Sequence, residues 1–254
     1  VISIASVQLE AWIAGLLWPL VRMLALFTAA PVLSHRALPA RLRILLAVLA
    51  TALVAPGLPP APALPLLSGE SLLILAQQVL IGTAIGFSVR IAFAAVELAG
   101  DLIGLQMGLS YATFFDPQTN ANTPILGTFL GMIATLMFLA IDGPFQMFAA
   151  LVESFSVAPI GADFHASLRW DALARMGGAM FVLGLQLALP VVTAMLICNI
   201  ALGVMARAAP QLNLFSIGFP VTLLGGLVLL VLMIGYMQPT IMQAFETGLR
   251  IWLR

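Results

Sequence analysis

Arg90, Glu97 and Asp101 lie inside one apolar run and are the residues whose chemistry stands out most in this sequence. At about 100° per residue they fall within roughly 40° of one another on a single helix face. Charge inside an apolar span is costly and usually faces water, a partner or an opposite charge. The stripe therefore reads either as a pore-lining or subunit-contact surface, or as an ion-pair ladder that fixes helix packing. Reactive constellations are missing. Asp116, Asp142 and Asp163 stand apart from one another, without the paired carboxylates that acid-base hydrolysis or metal-assisted group transfer needs. His35 shares a turn with Arg36 and His165 lies far along the chain, so both read as surface histidines rather than metal ligands. Cys198 is the sole cysteine, which excludes an internal disulfide and a thiolate cluster. With no lysine in the chain there is no Gly-Lys phosphate loop. Neither a catalytic residue, a metal site nor a cofactor is assigned, and the chain is not read as an enzyme.

The elements that position these residues follow from composition. Of 254 residues, 62% are hydrophobic and 8% charged, against about 25% charged in a soluble domain. A water-soluble fold would have little to place on its surface. Ten arginines balance ten carboxylates, so nothing draws a polyanion and nucleic acid is not an expected partner. The fold class is all-α: an integral membrane protein of long helical hairpins, with membrane lipid around it.

Crossing the hydrocarbon core takes about 20 apolar residues, and the chain is mostly such runs. The first, from Val7 to Ala30, holds Glu10 and Arg22, which does not fit a cleavable leader, and it reads as a retained helix. A shorter helix over Arg41 to Val54 completes a first hairpin across Pro31 to Pro39. Five prolines between Pro56 and Pro65 forbid continued helix. Ser68, Glu70 and Ser71 then open a helix reaching about Gly108, long enough that a break or tilt is expected. Leu109 to Pro124 reads as a structured loop. Ile125 to Ile141 ends at Asp142-Gly143-Pro144, a turn expected to reverse the chain into a helix over Phe145 to Val157. Pro159 to Trp170 is the most polar stretch, with Asp171 as a candidate cap, and divides the chain. Met176 to Ala206 and Ala208 to Phe245 carry no charge and make a third, long hairpin around Arg207 and Pro210. Arginine placement leaves the membrane orientation open.

Gly100, Gly104 and Gly108 recur at four-residue spacing, as do Gly82 and Gly86. Small residues at that spacing let helix backbones approach closely, within the chain or between subunits. The methionines read as packing residues, with Met107 also placed to contribute to a soft seal beside the loop.

A family resemblance rests on four stretches. The run Arg207-Ala-Ala-Pro210-Gln211-Leu-Asn213-Leu-Phe215-Ser-Ile-Gly218-Phe-Pro220 resembles the signature of the FliR-like family of flagellar and virulence type III secretion export-gate proteins. Pro31 through Arg43 agrees with it, as does Ala99 through Gly108 leading to Asp116-Pro117. So does Asp142-Gly143 followed by Ser154-Phe155 and Pro159-Ile160-Gly161. One position departs: Pro144 stands where the family pattern has histidine.

The resemblance implies a structural subunit of the flagellar protein-export gate in the bacterial inner membrane, at the flagellar basal body. It implies a hetero-oligomer with FliP and FliQ, contacts with FlhB and FlhA, and a channel for unfolded export cargo. Residues 1–160 would be FliP-like hairpins and 161–254 a FliQ-like hairpin. The loop near 109–124 would be a plug: Ser110, Tyr111, Thr113, Phe114, Phe115, Asp116 and Pro117, then Asn120 and Asn122. Bulky aromatics suit that task, because apolar constrictions close a conduit by excluding water. In the turn motif, Gln211 and Asn213 either bond backbone groups freed by the prolines or sit in a simple helix-breaking turn. The alternatives are a virulence counterpart, or a small-solute transporter with helices broken at Pro190 and Pro220. No internal repeat supports a transporter built of two like halves.

Overall fold

A computed structural model describes residues 6–35, 37–59, 68–109, 124–161, 170–209, 214–250 and 252. Seven α-helices and no strand occur among them: α1 (Ser6–Ala29), α2 (Ala40–Val54), α3 (Gly69–Gln106), α4 (Ile125–Ala140), α5 (Gly143–Val157), α6 (Trp170–Ala208) and α7 (Leu214–Arg250). A 3-10 turn, Ala55–Gly57, follows α2. Four helical segments are long and apolar enough to cross a membrane, or five if α4 and α5 form one bent span.

Local signals set the ends of the central helix. Ser68 caps α3, its hydroxyl accepting from the Ser71 amide at 3.2 Å, which supplies a partner to one of the orphan donors of a helix start. At the far end Gly108 takes φ 80°. Its amide donates to the Leu105 carbonyl and the Leu109 amide to that of Gly104, the two bonds of a Schellman stop. Of the break or tilt expected there, no break is found: α3 runs for 38 residues, because the sequence there has no proline and its glycines are absorbed by close neighbours. At 1.5 Å per residue it is about 57 Å long.

Three further expectations need correction. The chain does not reverse at Asp142: α4 and α5 meet in a bend of 67°, not a hairpin. Asp142 takes the left-handed conformation, φ 56°, and Pro144 sits in the first turn of α5, where a missing amide costs nothing. Asp171 lies inside α6 and pairs with Arg175 one turn on; it is not the residue before the helix. Pro190, Pro220 and Pro239 are all carried within continuous helix, so the broken helices of the transporter alternative are not found.

By contacts the chain divides into two compact units, residues 1–91 with 142–176 and 246–254, and residues 92–141 with 177–245. These units are interleaved along the chain. In the first unit α1 packs on α3 through glycines. A Cβ on Gly86 would fall 2.6 Å from that of Ala29, and one on Gly82 would fall 3.1 Å from the Leu26 amide nitrogen. Arg43 donates to the Leu33 carbonyl at 3.0 Å, closing the α1-α2 turn. In the second unit Phe93, Phe138 and Phe245 interlock with ring centroids 4.9 to 5.6 Å apart. There α6 runs parallel to α3, with Gly184 against Ala95 and Leu98 and Asn199 against Gln106. Helix α7 runs antiparallel, from Thr222 at Met107 to Phe245 at Phe93.

Candidate functional site

The most elaborate polar arrangement surrounds Arg22, whose side chain is fully buried. Its Nε donates to Gln78 Oε1 at 2.8 Å, one terminal nitrogen to Ser154 Oγ at 3.0 Å and the other to the Ala158 carbonyl at 2.9 Å. The guanidinium lies over the Phe155 ring, 4.0 Å from its centroid. Ser154 can accept because its own proton goes to the Leu151 carbonyl. Neutral acceptors and a ring face thus hold a cation with no carboxylate among the described residues, and join α1, α3 and α5 in one knot. Arginine's planar fork permits three directions of donation from one group. In the sequence Arg22 stands out only as a charge that does not fit a cleavable leader. The signals that could have found it are Gln77-Gln78, a polar pair inside an apolar run, and Ser154-Phe155.

The charge stripe resolves into two environments. Glu97 and Asp101 face α4, where Gly127 and Gly131 leave room for them. A Cβ on Gly131 would lie 3.3 Å from Glu97 Oε1, and one on Gly127 would overlap Asp101 Oδ1. That Asp101 oxygen is buried without a hydrogen-bond partner among the described residues. Gly100 backs directly on Gly127: a Cβ placed on it would fall 2.6 Å from the Gly127 Cα. Arg90 is elsewhere, exposed and lining a groove with Ala29, Phe87 and Ala174. No ion pair joins it to Glu97 or Asp101 among the described residues.

The glycine triple also separates by role. Gly100 makes the tight contact, a Cβ on Gly104 would meet Leu126 at an ordinary 3.6 Å, and Gly108 is the helix stop. Beyond it, the base of the loop is anchored. Met107 is fully buried and fills the notch over Gly226 of α7. Thr222 of α7 donates to the Met107 carbonyl at 3.3 Å. Asn199 of α6 donates to both the carbonyl and the Oε1 of Gln106 at 3.3 Å.

The plug residues Ser110, Tyr111, Thr113, Phe114, Phe115, Asp116, Pro117, Asn120 and Asn122 lie outside the described residues. So do Pro210, Gln211 and Asn213 of the turn motif. Of its remainder, Arg207 is exposed in the last turn of α6, Phe215 falls in the first turn of α7, Gly218 is buried and Pro220 exposed. Among the described residues no group of three His, Cys, Asp or Glu side chains could hold a metal ion.

Comparison with known proteins found a family and close relatives. The family described as Bacterial export proteins, family 1, matches residues 13–248. The flagellar biosynthetic protein FliR of Pectobacterium carotovorum is 46% identical over 228 residues, 90% of this chain and 87% of its own. That of Escherichia coli K12 is 43% identical over 238 residues, 94% and 91% of the two chains. That of Bacillus subtilis is 31% identical over 215 residues, 83% and 82%.

Proposed function

The chain belongs to family 1 of the bacterial export proteins, and from that premise we propose that it serves as a structural subunit of the flagellar protein-export gate. A place in the flagellar export apparatus follows from relatives named as flagellar biosynthetic proteins that align over most of both chains. The finer reading is a helical subunit in the inner membrane, packed with FliP and FliQ, touching FlhB and FlhA, and lining the passage for unfolded cargo. It holds the passage and makes or breaks no bond.

One observation carries this reading. Helix α3 has 67% of its apolar stretch buried inside the chain, whereas the stretches in α6, α7 and α2 have only 28%, 22% and 11%. Leu53, Val231 and Leu232 are each more than two-thirds exposed. Covering a large apolar side chain is worth about 1.5 to 3 kcal/mol. So much uncovered apolar helix needs lipid, other subunits or both, and α6 and α7 at 39 and 37 residues are nearly twice the length that about 30 Å of hydrocarbon can cover. Subunits are the cover for the excess. Extraction in mild detergent with the neighbouring flagellar proteins tests the proposal: the chain should emerge in a hetero-oligomer of fixed composition. A chain that runs alone as a monodisperse species and moves a small solute across liposomes would overturn it.

A further inference from the structure

A groove of about 640 Å³ opens along α3 in the first compact unit. Ala29 of α1, Ala174 of α6 and Leu80, Thr83, Phe87 and Arg90 of α3 line it. The Thr83 hydroxyl is occupied by the carbonyls of Val79 and Leu80, so it adds little polarity to the wall. Phe87 is 48% exposed, and Arg90 is the charged member of the lining. Among the described residues Arg90 has neither a hydrogen bond nor an ion pair. An apolar wall with one cation at its edge that meets no carboxylate among the described residues is half of an interaction.

What completes it depends on where the groove opens. Ala174 stands between Asp171 and Arg175, paired with side chains 65% and 74% exposed. Gly248 of α7 packs on the Ser88 carbonyl and on Met176, beside a Glu246–Arg250 pair 51% and 77% exposed. Four exposed charges therefore lie within one helical turn of Ala174, which lines the groove, or of Gly248, which meets Ser88. Charges in exposed positions are costly in hydrocarbon, so acyl chains are poor cover for this groove, whereas a helix of another subunit can offer both an apolar strip and a counter-charge. A carboxylate is the natural partner for a guanidinium, which it can meet with two parallel hydrogen bonds.

We propose that the groove is a socket for a helix of another subunit that presents one Asp or Glu between apolar residues, its carboxylate on Arg90 and its apolar neighbours along Phe87, Thr83 and Leu80. This rests on the assembly reading above but specifies the partner's chemistry, which that reading does not. The test places a photo-crosslinking amino acid at Phe87 in the full chain, expressed with its neighbouring flagellar proteins and extracted in mild detergent. The captured peptide should carry a carboxylate within one helical turn of the captured position. R90E should lower its yield at least tenfold and R90K should keep most of it. Exchanging the captured acid for arginine in the R90E background should restore the yield, which also shows that R90E folds. Capture of lipid or of a second copy of this chain, a peptide lacking an acid, or a yield indifferent to R90E would each overturn the socket. A complex that forms but cross-links regardless of residue 90 sinks the socket alone; a wild-type chain that brings no subunit with it sinks the assembly reading as well.

Discussion

Arg22 shows how a single charge is accommodated in an apolar body. A buried polar group left without a partner costs about 1 to 3 kcal/mol, and Arg22→Met strands two acceptors, Gln78 Oε1 and the Ala158 carbonyl. We expect Arg22→Met to lower stability by about 3 kcal/mol, read by thermal unfolding of the detergent-solubilised protein. Arg22→Lys should fall between, since an ammonium keeps the charge but not the fork that reaches three acceptors at once. Equal stability of Arg22→Met and the wild type would mean that the knot contributes nothing. Gly108 makes a second residue-level case. Its φ of 80° is a conformation that costs an L side chain roughly 1 to 2 kcal/mol, so Gly108→Ala should be destabilising by that amount. Gly177 is the control: nothing stands within 4 Å of a Cβ there.

At the scale of elements, the contact of α3 with α4 is set by the absence of side chains. Gly100 on Gly127, with Asp101 and Glu97 over Gly127 and Gly131, leaves no room for added volume, and overpacking of this kind costs about 1 to 3 kcal/mol. Gly100→Val should therefore lower the midpoint of thermal unfolding, whereas Gly177→Ala in α6 should raise it, by roughly 1 kcal/mol of helix propensity. If Gly177→Ala instead disrupts extraction of the intact complex while leaving the isolated chain unharmed, the open space beside Gly177 is occupied by another subunit. Helix α3 holds its neighbours at both ends: Arg22 reaches Gln78 near its start, and Asn199 and Thr222 reach Gln106 and Met107 near its stop.

The whole molecule is incomplete as a solvent-compatible object, with α2, α6 and α7 mostly uncovered. Lipid, other subunits or both must supply the missing cover. For the gate reading, the loop over residues 110–122 should occlude the passage at rest, because a conduit wide enough for an unfolded chain leaks ions unless an apolar constriction excludes water. Shortening that loop should raise membrane conductance of cells or proteoliposomes carrying the assembled complex, with assembly itself intact. Unchanged conductance in a complex that still assembles would remove the plug assignment. Replacing Met107 by Ala should act in the same direction but more weakly, since it empties the notch over Gly226 without altering the loop's aromatics.

By itself the amino-acid sequence determined the class, the helices and most of their ends, although α6 starts six residues before Met176 and α7 runs from Leu214 to Arg250 rather than from Ala208 to Phe245. Those depend on apolar run length, on Ser68, on the Asp142-Gly143-Pro144 break and on the glycine stop, all of which act within a few residues. The same holds for the close-packing role of Gly82, Gly86 and Gly100, whose spacing is visible in one dimension. Only the tertiary structure decided which charges belong together. Arg90, Glu97 and Asp101 share one face of α3, yet Arg90 opens on a groove while the two acids turn to the glycines of α4, because what a face meets depends on helices distant in the chain. Arg22 was hidden for the same reason: its acceptors lie 56 to 136 residues away, a separation that no periodicity records. The bend at Asp142 also belongs to tertiary packing, since a turn signal states that a helix stops but not how far the chain swings before the next begins.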